Sequence, residues 1–111
     1  MNIHYHDPDM SHEEAVSSLA AGDERKVATA LISIGLNEKN SAWAQETCLE
    51  HISHDNQAIA SAAIVAVGHI ARRFRTLDTA KVSAAMHQAG QKHPSLSGVI
   101  SSARDDIEIF T

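Results

Sequence analysis

A chain of 111 residues with 43% hydrophobic and 21% charged residues suits one cored domain, which excludes both a two-domain protein and a disordered polymer. Four aromatic residues (Tyr5, Trp43, Phe74, Phe110) against 18 alanines, with five Gly and two Pro, exclude a turn-rich β sandwich and favour closely packed helices. Cys48 stands alone, which excludes an internal disulfide and a cysteine zinc site, and a formal net charge of −5 disfavours nucleic acid as a partner.

Residues 1–10 read as an extended or disordered leader, with Pro8 opposing helix before it. Residues 11–111 read as a single helical domain. Ser11 followed by Glu14 is a capping-box pattern, and Val16 and Leu19 supply a short apolar face before Gly22. Asp23 can cap a second helix with Val27, Ala30, Leu31 and Ile34 inside, ending at Gly35 and Asn37. Ser41 can cap a third, with Trp43, Thr47, Leu49 and Ile52 on its inner side. Asp55 begins the fourth, where Ile59, Ala62, Ala63, Ala66, Val67, Ile70 and Phe74 form a wide stripe. Arg72, Arg73 and Arg75 end it, where cations complement the helix dipole. Asp78 or Thr79 starts a fifth helix carrying Val82, Ala85, Met86 and Ala89. Pro94 and Ser95 open a sixth, with Leu96, Val99, Ile100, Ala103, Ile107 and Phe110 inside.

Short connections make consecutive helices antiparallel, so six helices pair into three hairpins. Their starts recur at spacings within the range of helical repeats. The run Asp55, Ile59, Ala63, Val67, Gly68 and Ile70 resembles the second helix of a HEAT-type repeat, and Ile34-Gly35 resembles the same step one hairpin earlier. That resemblance implies an all-α fold of three stacked antiparallel hairpins, a HEAT-like α-solenoid. Where the family often places an Arg after the β-branched residue, this chain has Ala60, which argues against a repeat-to-repeat Asp–Arg ladder. Size, acidity and helical architecture together resemble small bacterial immunity proteins of the contact-dependent growth inhibition type. The resemblance implies a non-enzymatic protein that binds and neutralises a cognate toxin domain. The alternative is a HEAT-repeat scaffold or adaptor with another protein partner.

Charge distribution points the same way. Residues 1–55 carry ten acids and three bases, and residues 56–111 carry four acids and six bases, so a basic protein, here a basic toxin domain, is the expected partner. Neither a secretory leader nor an apolar run of membrane-spanning length is present, so a cytoplasmic protein without a membrane partner is expected. The end hairpins lack clearly polar outer faces, which leaves a monomer or weak dimer.

No constellation of acid, base and nucleophile can be placed, so no enzyme activity is expected. His12-Glu13 is a lone His-Glu dipeptide, too few for the di-iron hydroxylases built on HEAT-like repeats. His4, His6, Asp7, Asp9 and His12 have chelating spacing but read better as a polar leader, so no metal or cofactor is assigned. His51 and His54 read as a surface pair or helix-end cap, and Cys48 as a buried thiol. The expected partner-binding residues are Ser61, Val65, His69 and Arg72 on the fourth helix, and Ser101, Asp105, Asp106 and Glu108 on the sixth. Lys26, Thr29 and Ser33 would extend that surface along the second helix.

Overall fold

The computed structural model describes residues 9–111, which form six α-helices. These are α1 (His12–Ala20), α2 (Glu24–Asn37), α3 (Ser41–Ile52), α4 (Gln57–Phe74), α5 (Thr79–Lys92) and α6 (Ser97–Phe110), the last preceded by a 3-10 turn at Pro94–Leu96. The protein is all-α.

Local chemistry explains where the helices start. Ser11 and Glu14 form a reciprocal capping box on α1, and Asp23 caps α2 by accepting from the Lys26 amide. Asn40 rather than Ser41 caps α3, and Asn56 rather than Asp55 caps α4; both carboxamides accept from the amide three residues on. The expected starts were one residue off because Asn-Ser and Asp-Asn each offer two competent caps in a row, and only tertiary placement chooses between them. Asp55 instead forms an ion pair with Lys92 of α5, at 2.8 Å. Gly22 turns the chain from α1 into α2 at φ 74, a left-handed conformation that costs glycine little.

The helices make two layers. In one, α2 packs on α4 and α4 on α6; in the other, α3 packs on α5, and α1 reaches α3 through His12 against Trp43. α1 packs on α2 and α3 on α4, each across a short connection, while α5 joins α6 more loosely with help from the 3-10 turn.

Small residues set the spacing within the first layer. A side-chain carbon at Gly35 would lie 2.7 Å from the Ala66 Cα, so α2 and α4 touch backbone to backbone there. One at Gly68 would lie 3.0 Å from the Asp106 carboxylate and 3.9 Å from the Ala103 Cα on α6. Gly35 and Gly68 therefore serve the same end at successive contacts.

Three expectations about faces need correction. Ala44, Thr47, Cys48 and Ile52 are the buried residues of α3, with Trp43 and Leu49 only partly covered. On α1 the buried residue is Ala15, and Val16 stays 43% exposed. Ile64 is fully buried although it lies off the apolar stripe read from sequence, because α4 is enclosed by α2, α3 and α6 rather than by one neighbour. Burying each such side chain stabilises the fold by about 1.5–3 kcal/mol.

Candidate protein-binding surface

α4 is the centre from which the surface is built. Ala66 meets α2 and Gly68 meets α6. At 3.6 residues per turn, Ser61, Val65, His69 and Arg72 fall on the arc between those two contacts. Ser61, Val65 and His69 are half-buried and Arg72 is exposed. The opposite arc, with Ile64, Val67 and Ala71, is buried. These four residues therefore line a shallow strip flanked by α2 and α6.

Asp106 completes the strip from α6. Its carboxylate sits over Gly68, 3.9 Å from the Arg72 guanidinium, and Arg72 also donates to His69 Nδ1. This hydrogen bond needs the neutral His69 tautomer with its proton on Nε2. The inter-helix Asp–Arg contact thus exists, but from Arg72 rather than from the position held by Ala60. Both partners keep solvent access, so the pair is worth no more than about 1 kcal/mol.

The other residues expected on α6 do not join them. Ser101 and Glu108 line two open hollows between α5 and α6, of about 380 and 450 Å³, which share Met86 and Arg104. Asp105 is exposed. Residues two apart on a helix point nearly opposite ways, so Asp106 and Glu108 cannot share a face. On α2, Ser33 is also excluded from a surface: it is 1% exposed, and its hydroxyl accepts from the Met10 amide at 2.8 Å and from Asn37. The end of the expected leader is therefore fastened to α2. His4, His6 and Asp7 lie outside the described residues.

The arginine cluster is mostly structural. Arg73 donates to the carbonyls of Gly35 (2.9 Å) and Glu38 (2.7 Å), closing the C-terminal end of α2 from α4. Arg75, the left-handed cap of α4 at φ 56, lies over the Phe110 ring at 5.5 Å. Sequence spacing placed these cations at a helix end but carried no sign that Arg73 would reach the α2 carbonyls or Arg75 the Phe110 ring, 35 or more residues away.

Five further titratable groups also have settled roles. His12 Nδ1 donates to Glu38 at 2.6 Å, and its ring lies against Trp43. Burial raises the Glu38 pKa, but the Asn40 amide and His12 outweigh it and hold the carboxyl below its ordinary value. Burial pushes the Cys48 thiol up to about 12, which removes it as a nucleophile. His51 donates to the Thr47 carbonyl, and His54 accepts from the Asn56 amide, so both work at helix ends. Among the described residues, no group of three His, Cys, Asp or Glu is placed to hold a metal ion, and no helix is long and apolar enough to cross a membrane.

The helical array that carries this strip has a counterpart among solved structures. The fold is that of a chain in a CDI complex. The chain aligns with the crystal structure of a CDI complex from Cupriavidus taiwanensis LMG 19424 at a TM-score of 0.78 and 29% identity, over 98% of this chain and 96% of that one. No family model and no curated protein matches the chain. The CDI-type likeness runs through the whole helical array, including the elements that form the α4 strip.

Proposed function

We propose that this protein is a CDI-type immunity protein, which neutralises a cognate toxin domain by stoichiometric binding and carries no catalytic activity. The observation that carries the reading is the match to a CDI complex across nearly the full length of both chains. The binding face is the α4 strip of Ser61, Val65, His69 and Arg72 with Asp106 from α6. Its supports are physical. The strip lies on the most enclosed helix, so its shape is preorganised, and its small and polar groups suit a wet protein interface. Asp105, Ser101 and Glu108 extend it only for a partner large enough to wrap around α6. A basic toxin domain complements the excess of acids over bases, and the inhibitor would act in the cytosol as a monomer or weak dimer.

The decisive experiment pairs the protein with the product of the gene beside its own, which on this reading carries the toxin domain. A tight 1:1 complex on co-purification and rescue of growth are expected. Full killing in the presence of abundant folded protein overturns the proposal. Val65→Glu with His69→Glu should weaken the complex at least tenfold without lowering the melting temperature. Unchanged affinity moves the interface off α4.

A further inference from the structure

We propose that the groove between α1 and α3, remote from the α4 strip, is a second docking surface, which takes a cationic amphipathic segment of a partner protein. α1 packs on α2 and α3 on α4, and between α1 and α3 lies an open groove of about 550 Å³. Val16, Leu19 and Trp43 form its apolar floor, and Glu46 and Glu50 stand on its rim. His12 closes one end against the Trp43 ring, with centroids 4.4 Å apart.

Two features define the occupant. The first is apolar: Val16 is 43% exposed, one of two large hydrophobic side chains this open among the described residues, and the half-buried Trp43 offers an aromatic anchor of the sort that dominates interfaces. The second is charge. Glu46 and Glu50 are four apart on one helix and both exposed, and neither has an ion-pair partner among the described residues. Like charges at that spacing repel by a few tenths of a kcal/mol. Two lysines or arginines one helical turn apart on a partner relieve that repulsion while adjacent apolar side chains cover the floor, as when an amphipathic helix lies in a groove. His51 on the rim already spends its Nδ1 proton on the Thr47 carbonyl.

Trp43 is the chain's single tryptophan and reports on the groove directly. The probe is a 14-residue helical peptide of leucine and lysine, without tryptophan, titrated into the full-length protein at low salt. A saturable change in Trp43 emission is expected, weakened as salt rises. The Glu46→Lys, Glu50→Lys double variant should bind at least tenfold more weakly. The Asp105→Lys, Glu108→Lys variant, of equal net charge, should bind as the parent does. The Glu46→Gln, Glu50→Gln variant repeats the loss if charge reversal disturbs α3. A silent Trp43, or equal losses in both reversed variants, overturns the proposal. So does peptide binding that appears only after residues 1–8 are deleted, which assigns the groove to the chain's own N-terminal segment. A dimer that dissolves on Val16→Asp assigns it to a second copy and also overturns it. None of these outcomes depends on toxin neutralisation, so this surface and the proposed function fail separately.

Discussion

α4 and α1 show the two ways in which this chain uses a helix. Ten of the 18 residues of α4 are buried, against Ala15 alone among the nine of α1. α4 is held by three helices on three sides, which fixes the backbone beneath its remaining strip. α1 is held by α2, a capping box, the His12–Glu38 pair and the Met10–Ser33 hydrogen bond, and its far side is open. Burial makes the first helix the source of stability. Openness leaves the second with apolar and charged surface for other contacts. The same contrast separates the proposed toxin-binding strip, rigid and nearly neutral within itself, from the groove, which is looser, more apolar at its floor and acidic at its rim.

Core truncation should break the contrast most strongly. Ile64→Ala should cost about 4 kcal/mol in chemical denaturation, whereas Val16→Ala on α1 should cost under about 0.5 kcal/mol; similar losses would mean that α1 is as integral as α4. Next comes helix spacing. Gly35→Ala drives a methyl into the Ala66 backbone and should cost about 3 kcal/mol, while Gly22→Ala meets only its positive φ and should cost about 1 kcal/mol. Arg73→Ala should cost about 1.5 kcal/mol by freeing two carbonyls at the end of α2, and faster amide exchange of Asn37 and Glu38 would locate the damage. Ser11→Ala should cost about 1 kcal/mol, with exchange accelerating in α1 and unchanged in α4.

The smallest effect is a pH dependence at the edge helix. Glu38 has a folded pKa below its ordinary 4.5, so its contribution is complete above that value and fades as pH falls through the lowered one. Thermal melts taken downward from pH 5 should lose stability, and Glu38→Gln should lose less over the same interval. An identical slope in the variant would assign the acid loss to other carboxylates.

Much of this was legible in the residues. Every helix was anticipated, because caps such as Ser11, Asp23 and Asp78 and the stop at Gly22 act within one turn of chain. Gly35 and Gly68 were linked through the resemblance to a HEAT-type step, but Gly35, read from sequence as a helix end, lies inside α2 against Ala66. The strip on α4 could be read as a row, because rows follow from 3.6 residues per turn. The residues expected on α6 divide between two sides, because periodicity orders residues around a helix without saying which neighbour each side meets. Thus Asp106 joins Arg72, and Glu108 turns toward α5. The groove at Val16 carried no local signal, since an apolar residue on a short amphipathic helix normally marks the core.

Sequence alone settled the fold class, the number of helices and their approximate ends, because propensity, capping and hydrophobic period are properties of neighbouring residues. Tertiary structure alone decided how many faces of each helix were covered. Enclosure depends on how many other helices arrive from elsewhere in the chain, so Ile64 disappears into the core while Val16, with an equally apolar side chain, remains at the surface.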